Sequence, residues 1–271
     1  MEGRPMRTRI LLVPKKTRRM YTAFIAVIIA LFVISTLSTG FDAFTLIGKS
    51  NAIWQFISED FIPPKLPSES KVYDIFEGVL VTLALAMSST TLAAILAFFT
   101  ALFGSEQVSP YPFAARFVRS FATFLRNIPT LVWAFILFSS LGIGTGVGFA
   151  ALLITSYAFM CRAFIETMED VSDDCCESLM AVGASFPQRV FQAIVPSCVI
   201  GFISWYLYCL EVNIRASTIV GMVGGGGIGL VLFSYIKTFQ YGISCSIIMV
   251  IAVMVIAVDQ ITGAIRRELS K

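Results

Sequence analysis

The sequence predicts an all-α integral membrane protein with about six transmembrane helices. Of its 271 residues, 57% are hydrophobic and 14% are charged, and the mean hydropathy is +0.83. Soluble domains carry about 25% charged residues, so this chain lacks the polar surface that a water-soluble particle needs. The chain also contains no histidine, which excludes histidine-dependent nucleophile systems and histidine-ligated metals.

The first predicted span is the uncharged run 21–39, which follows a strongly basic N-terminus. Seven of the first 20 residues are arginine or lysine. A helix needs about 20 apolar residues to cross a bilayer. A cleaved signal peptide also starts with basic residues, but its apolar core is only ~7–15 residues long. Because the run is longer and Ser38–Phe41 is a poor cleavage site, we expect a retained helix.

Five further apolar stretches predict the remaining spans. They are 76–103, two short spans within 128–161 that meet at the glycine-rich turn 142–148, 196–215, and 243–262. Between the first two spans, Pro63, Pro64 and Pro67 prevent a continuous helix.

The distribution of charge predicts domain organisation and orientation. We expect a basic cytoplasmic N-terminus, a first helix and an extracytoplasmic segment in residues 1–70. Residues 71–271 then form the core, with a polar cytoplasmic loop at about 165–195. Basic residues concentrate at the N-terminus, in 104–127 and at the C-terminus. Six crossings place these regions on one side, which the positive-inside rule makes the cytoplasm, so both termini are predicted to be cytoplasmic.

The connector 104–127 carries three arginines that share one face of a helix. Arg116, Arg119 and Arg126 lie within about 80° of one another at 100° per residue. Such a basic stripe is suited to lipid headgroups.

The polar loop predicts a helical hairpin. Gly183 can adopt the left-handed conformation that ends a helix. Ser185 can cap a second helix, in which an early Pro187 costs no hydrogen bond. Pro196 then begins the next span. A hairpin held at the membrane surface is a docking element for a cytosolic protein, and an ordinary amphipathic loop is the alternative.

The segment after this hairpin holds the candidate substrate path. Glu211 and Arg215 are four residues apart and can pair on one helix face. Charged residues within a membrane usually face a cavity and mark such a path, although Arg215 near a helix end can also snorkel. Asn213 and Ser217 can supply further donors. The following glycines, among them Gly225 and Gly226, lack the Lys-Ser/Thr pair of a phosphate-binding loop and suit close helix contacts and broken backbone at a cavity.

Two sets of motifs resemble a known family. Glu177, Gly183 and Pro196 match the separations of the EAA loop of ABC-importer permeases, E-A-A-x3-G-x9-I-x-L-P. The chain departs from that pattern at four positions. These are Ser178, Leu179, Ala193 and Val195. In the family this loop is the coupling helix that sits in a groove of the cytosolic ATPase, which implies a coupling role for Glu177, Gly183, Ala184 and Pro196.

Four separated blocks extend the resemblance to phosphonate-importer permeases of the PhnE type, over about residues 72–267. They are 125–134, 211–217, 223–229 and 235–241. The resemblance implies a type I importer permease with a MetI-like core in a bacterial inner membrane. It further implies a second copy of the chain, a dimer of cytosolic ABC ATPases and an extracytoplasmic phosphonate-binding protein. ATP and Mg²⁺ would bind the ATPase, so the chain itself is expected to hold no cofactor, catalytic residue or metal, and to bind no nucleic acid.

Alternatives remain open at this stage. The permease can serve another solute, such as phosphite, phosphate, methionine or a peptide. An intramembrane Mg²⁺-dependent transferase is a second possibility, because six acidic residues fall in 166–177. However, the same spacing gives a helix with a solvated acidic side, which is far commoner, and the cluster lacks the basic and glycine partners that handle a pyrophosphate. A stand-alone channel is a third alternative, but it leaves the hairpin without a purpose.

Overall fold

A computed structural model describes residues 15–40, 48–65, 67–106, 109, 111–181 and 183–269, and every regular element within them is helical. The chain divides into two compact units, Met1–Ser58 and Glu59–Lys271. The α-helices are α1 (Lys15–Thr39), α2 (Ser50–Gln55), α3 (Glu69–Gly104), α4 (Pro112–Arg126), α5 (Thr130–Leu141), α6 (Thr145–Ala181), α7 (Phe186–Arg189), α8 (Val195–Val220), α9 (Gly227–Lys237) and α10 (Tyr241–Leu269). Three π-helical segments join or extend them, at Phe56–Phe61, Val190–Ile194 and Gly221–Gly225.

The first unit is dominated by α1. Its apolar segment Arg19–Thr39 is long enough to cross a membrane, and none of it is buried within the protein. A helix that is apolar on all sides and makes no core is suited to contact with lipid.

The second unit begins before the boundary at residue 70 that the sequence suggested. The backbone N–H of Lys65 donates to the carbonyl of Gly242 at 3.0 Å, and the Ser246 hydroxyl donates to the carbonyl of Lys65 at 3.0 Å. Residues 59–65 therefore pack against the start of α10. The predicted helix break is present, because no helix continues between Phe61 and Glu69.

Five helices in the described residues are long and apolar enough to cross a membrane. A sixth crossing exists if α4 and α5 together form one broken span, and these two helices meet at an angle of 86°. The predicted all-helical membrane fold with about six spans is confirmed. The third predicted span is wrong as a simple crossing, because α5 has only 12 residues and extends about 18 Å, well short of a ~30 Å bilayer core.

The second half of the run 128–161 is not a short span either. Helix α6 has 37 residues, and the region predicted as a polar loop from 165 is helical as far as Ala181. Its apolar part ends at Val171, so only Asp173, Asp174 and Glu177 of the acidic cluster lie beyond that part of the helix. The glycine turn before α6 is confirmed, and the N–H of Gly144 donates to the carbonyl of Gly224 at 2.9 Å.

The core forms where α3 packs against α6. Ala93, Ala97 and Ala101 are completely buried and are spaced four residues apart on one face of α3. Small side chains allow two membrane helices to approach closely, and this stripe contacts a buried set on α6 that includes Met160 and Phe164.

Helix α8 is longer than the predicted 196–215 and ends at a backbone break. After Val220, Gly224 has φ +104 and Gly226 has φ +83, conformations that favour glycine. The carbonyl of Thr218 lies where a Cβ on Gly229 would sit, so α9 folds back tightly against the end of α8.

Candidate coupling hairpin and translocation path

The predicted hairpin is present in the described residues. Gly183 follows α6 with φ +79, and α7 begins after Ser185. The N–H of Ser185 donates to Oε1 of Gln188 at 2.8 Å, as in a capping box. Pro187 lies in the first turn of α7, where it forfeits no hydrogen bond. Ala184 is partly buried beside Gly183.

The hairpin is anchored to the core through one apolar face. Val190 and Ile194 are 1% and 0% exposed, and Phe186 packs against the same cluster. These residues recur every four positions and contact buried residues of α6 and α8, including Met168 and Cys198. A displacement of the hairpin therefore has to displace the helices beneath it, because close-packed side chains cannot slide independently.

Pro196 joins the hairpin to α8 without interrupting the helix. A proline inside a helix lacks one donor and its ring clashes with the carbonyl four residues earlier, here that of Gln192. The preceding π-helical turn Val190–Ile194 widens the backbone, and the N–H of Val195 donates to the carbonyl of Val190. The result is one continuous helical segment from Phe186 to Gly225.

The outer face of the hairpin is exposed. Phe191 is 63% exposed, an unusual state for an aromatic residue beside a packed core. Sequence reasoning missed this residue, although its position one helical turn after Pro187 points it away from the buried stripe. Glu177 has a helical backbone in α6, and its side chain lies outside the described part of the structure.

Glu211 and Arg215 form an ion pair on α8, as their spacing predicted. The Arg215 side chain is 48% exposed, whereas that of Glu211 is 14% exposed. Glu211 therefore neutralises an arginine whose outer atoms remain accessible.

Asn213 instead belongs to a buried polar network between three helices. Its Nδ2 donates to Oγ1 of Thr90 on α3 at 2.7 Å and to Oγ of Ser156 on α6 at 2.6 Å. Asn213 is 4% exposed and Thr90 is fully buried. The sequence indicated Asn213 as a donor, but its partners are hydroxyl groups that are distant in the chain and carried no recognisable motif.

Ser217 and the two glycines pack rather than line an open space. Ser217 is 2% exposed, and its hydroxyl has no hydrogen-bond partner among the described residues. A Cβ on Gly148 would lie 2.5 Å from the carbonyl oxygen of Gly225. A Cβ on Gly226 would lie 2.8 Å from Cγ2 of Thr145. In this glycine-rich run, Gly224 borders an apolar groove of about 740 Å³.

The three connector arginines do not act as one stripe. Arg119 on α4 forms an ion pair with Glu169 on α6, and its Nε donates to the carbonyl of Gly104 at 2.8 Å. Arg116 and Arg126 are both exposed, and Arg126 also lines a pocket between helices. The interpretation of all three as headgroup ligands is therefore wrong for Arg119, because this side chain pairs with a carboxylate of the core.

Residues 89–271 match the model of a family described as the binding-protein-dependent transport system inner membrane component. This chain belongs to that family. The match includes the hairpin, α8 and the glycine-rich break, so the features described above are those of a membrane-embedded transport permease.

Two curated relatives illustrate the range of the family. The phosphate-import permease protein PhnE of Mycolicibacterium smegmatis is 29% identical over 77% of this chain. The chain spans 39% of that relative's length. The phosphite transport system permease protein PtxC of Stutzerimonas stutzeri is 32% identical over 69% of this chain and 68% of its own length.

A solved structure shows the same fold. An inward-facing structure of the MetNI methionine ABC transporter covers 76% of this chain and 100% of its own, with a TM-score of 0.67 and 18% identity. The predicted MetI-like core is confirmed by this likeness.

Two carboxylates of the acidic cluster form ion pairs with arginines. Among the side chains that are described, Glu166 pairs with Arg162 at 3.2 Å and Glu169 pairs with Arg119. The described residues contain no group of three or more potential metal ligands. Glu169 therefore connects α6 to α4, whereas Glu166 pairs within α6.

Proposed function

We propose that this permease is the membrane-spanning subunit of an ATP-driven bacterial importer for phosphonate or a related phosphorus oxyanion. The observation that carries the proposal is the hairpin: its apolar face is anchored in the core, its other face is exposed, and it continues without a break into α8. This arrangement suits the transmission of a cytosolic movement into the membrane. The chain then lies in the inner membrane with both termini in the cytoplasm.

The transmission is proposed to run from the hairpin through Pro196 into α8. Thr167 on α6 contacts α8 at several points: the Trp205 Nε1 donates to its hydroxyl at 3.1 Å, and Gly201 lies against its methyl group. Farther along α8, Asn213 bonds α3 and α6. A displacement of the hairpin is therefore transmitted to α8 and, through these contacts, to α6 and α3. ATP hydrolysis can drive this change only through contacts that differ between the two states.

The family resemblance supports four roles in coupling. Gly183 supplies the left-handed turn that closes the hairpin, and Ala184 provides a small residue beside it. Pro196 begins the membrane helix. Glu177 is placed on the last turns of α6, where an ionised side chain suits a cytosolic partner surface.

The proposed partners follow from the same architecture. They are a dimer of cytosolic ABC ATPases, which would bind ATP and Mg²⁺, a second copy of this chain, and an extracytoplasmic binding protein for a phosphorus oxyanion. The described residues contain many exposed apolar side chains, such as Val253 at 68% and Phe99 at 57%. Such faces require lipid or another membrane helix.

The substrate class rests on the curated relatives, since both proteins described above are named for phosphorus oxyanions. The methionine transporter shares the fold at 18% identity, which gives no support to methionine as the substrate. Arg215 is proposed to guide the anion at the outer end of α8, because guanidinium pairs with tetrahedral oxyanions in a bidentate manner. Glu211 pairs with Arg215 when no anion is present. The local structure at this end of the path is maintained by the packing of Asn213, Ser217, Gly225 and Gly226.

The test is purification of the tagged chain from its native membrane, followed by reconstitution with the proteins that accompany it. We expect a stoichiometric ATPase, and ATP-dependent uptake of phosphate, phosphite or methylphosphonate into proteoliposomes. Methionine and a dipeptide are the matched solutes for comparison. A chain that purifies alone, or a complex that moves methionine but none of the phosphorus compounds, would contradict the proposal.

A further inference from the structure

Arg126, an exposed residue at the end of α4, also lines a small pocket that the sequence did not indicate. The pocket has a volume of about 180 Å³ and is lined by the end of α4, the start of α5, α6 and α8. Its polar lining consists of Arg126, Thr130, Thr155, Ser156, Tyr208 and Asn213. Four separate helices thus contribute polar atoms to one cavity within an otherwise apolar bundle.

The pocket is deep in the membrane-spanning part. Thr155 and Ser156 lie about 15 Å along α6 from Thr145, at 1.5 Å per residue, near the middle of the apolar span Thr145–Val171. The Arg119–Glu169 pair lies about 20 Å farther along the same helix. A charged side chain that lines a cavity beside these residues is typical of a substrate or ion pathway.

The charges around the pocket favour an anion. Three other arginines of the core, Arg119, Arg162 and Arg215, each pair with a carboxylate. Arg126 forms no ion pair with any described residue, and no carboxylate is among the residues that line the pocket. The pocket therefore carries a net positive charge that a ligand can balance.

The hydrogen-bonding groups are also arranged for an acceptor. Because Ser156 Oγ accepts the bond from Asn213 Nδ2, its own hydroxyl hydrogen stays available to donate. Thr155 already donates to the carbonyl of Ala151 at 2.6 Å and so offers only its lone pairs. The guanidinium of Arg126 and the hydroxyls of Ser156 and Tyr208 remain as donors, a set that matches an oxyanion.

We infer that this pocket is an intramembrane binding site for a small phosphorus oxyanion, with Arg126 contacting the anion directly. The inference rests on the proposed function and adds a position for the cargo midway across the membrane. Its volume holds about six water molecules at ~30 Å³ each, which suits phosphite, phosphate or methylphosphonate and excludes large organic phosphonates. Arg215 is absent from the lining, so it serves an earlier step of the path.

The experiment uses the complete reconstituted complex and measures uptake at saturating binding protein loaded with phosphite. Arg126→Gln should lower the maximal rate about tenfold to a hundredfold, the loss expected when charge-assisted hydrogen bonds are removed. Arg126→Lys should fall between this variant and the wild type. Arg116→Gln is the matched control, because it removes the same charge from the same helix outside the pocket, and its rate should stay within about twofold of the wild type.

A second readout separates binding from folding. Ala216 lines the pocket, and Ala216→Leu narrows the cavity without changing any charge. This variant should reduce uptake of methylphosphonate relative to phosphite by at least about tenfold. Co-purification of the ATPase reports whether each variant is assembled.

The outcomes distinguish the inference from the function on which it rests. Failure of the wild-type complex to import any phosphorus oxyanion contradicts the proposed function. If the wild type imports phosphite and Arg126→Gln behaves like Arg116→Gln, the pocket is not the binding site. Should Arg126→Gln fail to assemble, the ratio measured with Ala216→Leu decides, and an unchanged ratio overturns the inference.

Discussion

Replacement of Asn213 by alanine tests whether the buried polar network holds the central helices together. The substitution removes two hydrogen bonds, to Thr90 at 2.7 Å and to Ser156 at 2.6 Å. Hydrogen bonds between membrane helices contribute about 0.6 kcal/mol on average and at most about 1.7. Two such bonds, together with a small cavity, predict a loss of about 1–3 kcal/mol in the free energy of unfolding.

The measurement is denaturant unfolding of the purified complex in detergent, with and without Ser156→Ala in a double-mutant cycle. We expect a coupling energy of about 0.5–1.5 kcal/mol between Asn213 and Ser156. Asn51→Ala, at an exposed position of α2, is the control and should be close to neutral. A destabilisation below about 0.3 kcal/mol for Asn213→Ala, with no coupling to Ser156, would refute the role of this network.

Three further predictions concern packing, the path and the hairpin. Gly148→Ala should destabilise the protein by about 1–3 kcal/mol in a thermal unfolding assay, because its Cβ would lie 2.5 Å from the Gly225 carbonyl oxygen. Gly146→Ala, with nothing within 4 Å, should be close to neutral, and equal effects of the two would show that the close approach is unimportant. Arg215→Ala should lower phosphite uptake more than tenfold in a complex that still assembles, and retained uptake would remove the guiding role. Phe191→Ala should weaken co-purification of the ATPase, by about thirtyfold in affinity if it acts as an interface anchor of about 2 kcal/mol; unchanged ATPase binding would place the docking surface elsewhere.

The Arg119–Glu169 pair fixes the position of α6, the helix that precedes the hairpin. The carboxylate of Glu169 accepts hydrogen bonds from Arg119 and from the backbone N–H of Glu106 at 3.0 Å. This contact ties the end of α3 and the middle of α4 to α6, just before α6 leaves the apolar region. The helix that leads to the hairpin is therefore fixed where it emerges.

The membrane class, most spans and the local chemistry of the hairpin could be predicted from the sequence. These properties depend on near neighbours: apolar length decides whether a helix can cross a bilayer, Gly183 permits a left-handed turn, and Ser185 with Gln188 caps the helix that follows. The pairing of Glu211 with Arg215 is equally local, since four residues make one helical turn. The prediction of a separate short span in 128–141 was wrong, because the charge and length of this segment do not show that α5 meets α4 at an angle of 86°.

Only the tertiary structure decided which polar residues meet. Thr90, Ser156 and Asn213 are far apart in the chain and carry no motif, yet helix packing brings them within hydrogen-bond distance. The same packing separates three arginines that look equivalent on a helical projection: Arg119 meets a carboxylate, Arg126 is exposed but also lines a pocket, and Arg116 is exposed outside it. The environment of a charged group depends on what the neighbouring helices place around it, and helical periodicity in one segment contains no information about those neighbours.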